Sequence, residues 1–306
     1  MSSKLLSILS AVRNDNYYEN YLKRLEYTFN YTLRNIEKLN CLDKIELFVV
    51  DWGSKKKLSN EIHIFNNRYQ DSIKILSIDE KFASHNNRYT TSNFFSELAE
   101  NIALDYIDSE FILVQPGDQF LSVNDMYNLI NILNNKKIKN LEKMFLLQRE
   151  ILPIDFPNKN YTFNYLDFFL ENYNYGNSLI NSKRIYSGGG LGGFLAKKKI
   201  FEKIGGIKDL NLKMRGYHSK SDNDILKRSN LFYSYENLSK NGILLKKLPY
   251  TDKGFRKTRK LNLNYNKEKI NFSDLKKNTF PIDVLKFKEN LSNKYEIFSK
   301  FYFYKN

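Results

Sequence analysis

Four short apolar runs, each stopped by polar or turn-forming residues, limit what this chain can fold into. Lys4–Val12, Ile45–Val50, Ser72–Ile78 and Phe111–Val114 are too short for buried helices and too continuously apolar for strands with one wet face. They read as strands covered on both sides. Between the first two, Tyr18–Lys38 places Tyr21, Leu25, Phe29 and Leu33 on one helical stripe, and Phe94–Ile107 reads as a second helix. Ser122 with Asp125 makes a capping box that opens a third, running to Leu133. Strand and helix alternating at this spacing predict an α/β fold with a mostly parallel sheet. Ligands of such open sheets bind beyond the carboxyl ends of the strands. Three of these strands end in polar groups: Arg13-Asn14-Asp15 after the first, Asp51 after the second, Asp118 after the fourth. Any one of them alone reads as an ordinary turn residue. Their recurrence on one edge of one sheet points to a site.

The second half is less regular. Lys143–Gln148 reads as a strand, Pro153–Asn177 as an aromatic, Asn-rich loop, and Lys197–Ile204 as a helix stopped by Gly205-Gly206. Another helix starts near Ser221, and the tail from Ile282 carries a stripe of Val284, Phe287, Leu291, Tyr295, Phe298 and Tyr302. The division expected is one large domain over residues 1–250 and a basic loop with an amphipathic helix over 251–306. The single cysteine, Cys41, excludes a disulfide scaffold and a Cys-rich metal site. No apolar run reaches the length of a membrane span, and Arg13-Asn14-Asp15 stands where a signal peptide would need small residues, so a cytoplasmic protein is expected.

Charge narrows the partners. The chain has 49 Lys and Arg against 34 Asp and Glu, a net +15, which suggests phosphate groups among its ligands. The 39 Asn, and only 11 Arg among the cations, look like an AT-rich coding bias that inflates the total. Position is more telling: residues 251–306 hold 14 Lys and Arg against 6 Asp and Glu, and so carry +8. No nucleic-acid-binding module is recognisable, and nucleic acid is not an expected partner.

Several segments resemble family 2 glycosyltransferases with the GT-A fold. Ser10–Asn14, one residue shorter, loosely matches that family's Ser-x-x-x-Arg-Asn, and strand–Asp51-Trp52-Gly53-Ser54 looks like its Val-Asp-Asp-Gly-Ser turn. Leu98–Ala103 and then Glu110–Asp118 resemble its Ala-Arg-Asn helix leading into the strand with the Asp-x-Asp motif. Gly192-Gly193-Phe194, Phe201–Ile207 and Ser221–Arg228 are similar to a galactosyltransferase-type segment. The resemblance covers about Leu5 to Arg228 and implies an inverting transfer from a nucleotide-diphosphate sugar to a glycan or lipid-linked acceptor, in surface polysaccharide synthesis. It implies that Ala11, Arg13 and Asp51 hold the base and ribose, and that Asp118 meets a divalent cation, Mn²⁺ or Mg²⁺, on the diphosphate. It makes Asp222 the base that deprotonates the acceptor, with Asp224, Gly192 and Gly193 beside the acceptor. An inverting transfer requires one such carboxylate, and a diphosphate leaving group requires cationic neutralisation.

Trp52 is expected to line the nucleotide base together with Asp51, against a plain reading in which it fills the core. Asp222 and Asp224 have a plain one too, as acids favouring a helix N-terminus, and the glycine run can be a flexible loop. The chain departs from the pattern at Pro116, in place of the first Asp of Asp-x-Asp, at Trp52, at Glu100 and at Ser221. These departures leave open an alternative: a catalytically impaired sugar- or nucleotide-binding protein on the same fold. Thr251–Lys260, with five cations in ten residues, is expected to serve the donor diphosphate, and the whole tail to attach reversibly to an anionic membrane on the inner face of the cell. A helix packed on the domain is the competing reading of the tail.

Overall fold

A computed structural model describes residues 4–14, 20–87, 94–135, 143–152, 154, 161–172, 191–204, 206–207, 225 and 233–248 of the 306. The first half alternates as the sequence predicts: β1 (Lys4–Val12), α1 (Tyr21–Lys38), β2 (Ile45–Trp52), α2 (Leu58–Glu61), β3 (Ile73–Ile78), α3 (Glu80–Asn87), α4 (Ser96–Ala103), β4 (Ser109–Val114), β5 (Gln119–Leu121) and α5 (Val123–Asn134). The second half adds β6 (Lys143–Ile151), α6 (Phe163–Asn172), β7 (Leu191–Lys197), α7 (Lys198–Lys203), β8 (Ser234–Asn237) and β9 (Leu245–Lys247). The strand order is β3-β2-β1-β4-β7-β6-β9-β5, with β8 on β6.

The first four strands in that order are parallel, Leu6 lying opposite both Ile45 and Phe111, so their carboxyl ends share one edge. β7 runs antiparallel to β4, with Val114 opposite Phe194, and so begins where β4 ends. Both faces of the sheet are covered, which explains the unbroken apolar runs. Leu9, Val50 and Val114 pack on one face with Leu98 and Ile102 of α4 and Phe201 of α7. Ile8, Val49 and Leu113 pack on the other with Leu25 and Phe29 of α1 and Leu129 of α5. The N-cap half of the box forms: the Asp125 N–H donates to Ser122 Oγ over 3.1 Å at the start of α5.

One second-half expectation is corrected, and one plain alternative is set aside. Within the expected loop Pro153–Asn177, residues 163–172 form α6. Leu166 and Leu170, one turn apart, bury against Tyr31 and Phe120. Asp167, between them, accepts from Tyr31 Oη at 2.7 Å, Arg34 at 2.9 Å and Lys38 at 2.6 Å, all on α1. Aromatic and Asn residues are indifferent helix formers, so tertiary contact and not local propensity makes this helix. The second half of the glycine run is likewise no flexible loop: Gly192 and Gly193 lie in β7. A Cβ on Gly193 would sit 2.6 Å from the Val114 carbonyl oxygen, and one on Gly192 would sit 2.9 Å from Arg149 Cβ. The expected helix near Ser221, residues 188–190 and the 251–306 tail lie outside the described residues. Among the described residues, no helix is long and apolar enough to cross a membrane.

Candidate functional site

The carboxyl ends of β1 and β2 are tied together by one hydroxyl. Asp51 lies opposite Val12, so the loops after the two strands leave side by side. Gly53 turns the chain at φ 62°, where a Cβ would meet Ala83 Cβ at 2.3 Å. Ser54 is thereby returned beneath the strand end: its Oγ donates to Asp51 Oδ1 and accepts the Asn14 N–H at 2.7 Å. Asp51 Oδ2 accepts the Leu58 N–H at 2.7 Å, and Asn14 Nδ2 donates to the Lys56 carbonyl at 3.3 Å. Burial pushes the Asp51 carboxyl up from its ordinary value, while Ser54, Leu58 and the nearby Arg13 charge pull it down. Asp51 therefore organises the loop between the strand ends. Ala11 is buried within β1, and Arg13 follows the strand, partly exposed.

Trp52 sits in the core instead of on an open surface. It is fully buried, its Nε1–H donates to Asn87 Oδ1 at 2.9 Å, and its ring meets Phe82 and Phe95 edge-on. Strand alternation explains this: Asp51 and Trp52 face opposite sides of β2, and Trp52 joins the side covered by α4. The expectation that Trp52 lines the nucleotide base is thereby corrected: its ring fills the core.

At the end of β4, α1 sets the turn. Thr28 Oγ1 donates to the Gly117 carbonyl at 2.6 Å, and a Cβ on Gly117 would lie 2.4 Å from Val12 Cγ1. The next residue, Asp118, is buried and lies 3.6 Å from Lys247 Nζ. Lys247 escaped the sequence reading because a Lys pair reads as surface charge. The available signal was its setting, Ile243-Leu244-Leu245-Lys246-Lys247-Leu248, which places both lysines inside an apolar run. Burial pushes the Lys247 ammonium down, Arg149 and Arg24 act the same way, and Asp118 holds the proton on. Beside them Gln119 is also buried, and among the described residues neither of its amide atoms has a hydrogen-bond partner. Its Oε1 lies 3.0 Å from where a Cβ on Gly192 would be.

The structure therefore lines up Asp51, Arg13 and Asp118 on one edge, as their positions in the sequence suggested, and brings Gly192-Gly193 of β7 beside them. Asp222 and Asp224 lie outside the described residues. Their neighbour Ile225 is described, and it is buried on the α4–α7 face of the sheet. Asn101 of the Ala-Glu-Asn helix meets Gly206, where φ is 110° and a Cβ would lie 2.8 Å from Asn101 Oδ1. Two motif pieces about a hundred residues apart thus interlock.

A hard divalent cation needs several oxygen ligands. Pro116 supplies no carboxylate, Asp118 is already paired with a buried ammonium, and the described residues hold no group of three His, Cys, Asp or Glu side chains suited to a metal. Among the described residues, the donor set does not fit the cation that the resemblance implies.

Neither a protein-family model nor a curated protein matches the sequence. Solved structures do. S. aureus TarS 1-349 in complex with UDP-GlcNAc aligns at a TM-score of 0.50 and 13% identity, over 82% of this chain and 60% of that one. The same fragment with UDP gives 0.43 at 12% identity, over 76% and 60%. The larger S. aureus TarS structure gives 0.46 at 11% identity, over 80% and 37%. This chain thus spans less than two thirds of the TarS chains it matches. Identities this low speak for fold alone. The parallel sheet, its antiparallel continuation through β7 and β6, and the alignment to the UDP-GlcNAc complex give this chain a GT-A-like fold.

Proposed function

We propose that this chain is a glycosyltransferase moving a sugar from a nucleoside diphosphate to a glycan or lipid-linked acceptor, with inversion at the anomeric carbon. One observation carries the reading: Arg13, Asp51, Asp118 and Gly192-Gly193 converge on the ligand-binding edge of a GT-A-like sheet. The fold alignment adds support, since TarS was crystallised with UDP-GlcNAc. In this reading the loops joined by Ser54 cradle the base and ribose, and the diphosphate lies over the Asp118 turn. Gly192 and Gly193 lie beside the acceptor. The acceptor hydroxyl oxygen attacks the anomeric carbon while the bond to the diphosphate breaks. The electron pair leaves on the diphosphate, and the hydroxyl proton passes to Asp222, with Asp224 nearby. Residues 251–306 attach the protein to an anionic membrane, and the acceptor belongs to surface polysaccharide synthesis.

The test is turnover of a panel of UDP-, dTDP- and GDP-sugars with glycan acceptors, wild type against Asp222→Asn. Loss of roughly 10²-fold in turnover with donor binding kept is the expected result for a missing general base; undiminished turnover ends that assignment. A second reading, a binding protein without turnover, is favoured by Pro116 and Ser221 standing where the pattern has acids. Donor binding with neither transfer nor donor hydrolysis would establish it.

A further inference from the structure

The turn after β4 brings a cation, not a second acid, to the place where the donor's phosphates are expected. β9 lies antiparallel to β5, with Lys247 opposite Gln119, and this pairing carries Lys247 to Asp118. Its side chain is 8% exposed and that of Asp118 is 4% exposed, so the pair lies where water screens little. The charges that act most on Lys247 are one carboxylate, Asp118, and two guanidinium groups, Arg149 and Arg24. The Gln119 amide, buried and unpartnered among the described residues, lies beside the pair with donor and acceptor capacity to spare.

We infer that Lys247, oriented by Asp118 and flanked by Gln119, is the positive charge that meets the donor diphosphate, so that this chain binds nucleoside diphosphates without a divalent cation. The inference rests on the nucleotide-sugar reading above. It gives Asp118 a different task from the one implied by the resemblance: a positioning residue for an ammonium in place of a metal ligand. The chemistry is sufficient, because a fixed cation aimed at a leaving diphosphate stabilises the charge that develops there. It also explains why Pro116 can replace an acid: a second carboxylate would compete with the phosphates for Lys247.

The experiment is calorimetric titration of the full chain with UDP, dTDP and GDP, each in EDTA and in Mn²⁺, with UMP as comparator for the diphosphate. Wild type is expected to bind one diphosphate with affinities within about threefold in the two buffers. In EDTA, Lys247→Met is expected to weaken that diphosphate tenfold or more and to erase its advantage over the monophosphate. Lys247→Arg should recover most of the loss, and the exposed Lys240→Met should change nothing. Binding by wild type that requires Mn²⁺ overturns the inference and leaves the transferase reading standing. So does a folded Lys247→Met with unchanged affinity, which would make the ion pair structural only. Wild type that binds no diphosphate in either buffer overturns the transferase reading and the inference together. The wild-type comparison needs no variant, so a misfolded Lys247→Met does not remove the test.

Discussion

Replacing Ser54 with Ala removes one hydroxyl that bonds in two directions, and its consequences can be worked from the geometry. Asp51 is 1% exposed and would keep backbone donors alone, the Leu58 N–H at 2.7 Å and the N–H of residue 54 itself. Losing a hydrogen bond to a charged group costs about 1.5–3 kcal/mol. The Asn14 N–H, only part-buried, can turn to water and adds little. A deficit of about 2 kcal/mol lowers Tm by roughly 4–8 °C at the 2–4 °C per kcal/mol of large domains. The deficit also depends on pH. Burial already holds the Asp51 carboxyl above its ordinary value, and removing the Ser54 bond pushes it higher. Between the unfolded pKa of about 3.9 and the raised folded one, the native state binds more protons, so stability falls as pH rises through that interval and the loss is complete above it. Thermal melts followed by circular dichroism at about pH 7 and pH 4 should therefore show the larger deficit at pH 7. A Tm within about 1 °C of wild type at pH 7, or the same deficit at both values, would refute the claim that Ser54 supports a buried charge.

Gly193→Ala would place a Cβ 2.6 Å from the Val114 carbonyl oxygen, which the β4–β7 ladder holds still. A loss of about 1–3 kcal/mol is expected, seen as a lower urea midpoint at unchanged slope. Asp167→Asn removes the carboxylate shared by Tyr31, Arg34 and Lys38. Burial pushes Asp167 up, but those three donors outweigh it and leave it below its ordinary value, so its contribution is present above the unfolded pKa and is lost as pH falls. Denaturant melts should show the Asp167→Asn deficit at about pH 7 and a much smaller one below about pH 3.

How much was legible depended on whether local sequence or distant packing decided each element. The parallel strands could be read because double-sided burial leaves unbroken apolar runs, and the Ser122 cap because its partner is three residues away. Helix α6 could not, since its reason for existing is Asp167 reaching three residues of α1 more than a hundred positions earlier. Gly192 and Gly193 look like a flexible loop until β4 and β6 are seen pressed against them. Polar residues on the buried side of α1 were equally opaque. Thr28 and Asn35 donate to the carbonyls of Gly117 and Leu121, and so hold the site turn in place. In the site itself, strand ends betrayed Asp51 and Asp118, whereas Lys247 needed the β5–β9 pairing to find its acid.

The two lysines of β9 show how one short strand separates a structural role from a site role. Side chains alternate across a strand, so Lys246 and Lys247 must leave β9 on opposite faces. Lys246 lies opposite Glu150 of β6 and reaches both Glu150, at 3.9 Å, and Asp125, at 3.4 Å. Asp125 also accepts from Ser122 Oγ and from the Leu244 N–H, so this face is an acid-rich lock between α5, β6 and β9. Coulomb attraction from two acids can there offset the desolvation of one ammonium. On the other face Lys247 has Asp118, with Arg149 and Arg24 contributing in the opposite sense. A one-residue slip of β9 would exchange the two faces, placing the lysine of the site in the lock and the lysine of the lock in the site. The Gln119–Lys247 and Ile151–Lys247 pairings forbid that slip from both sides. The register of a three-residue strand thus decides which ammonium faces the edge where β1, β2 and β4 end.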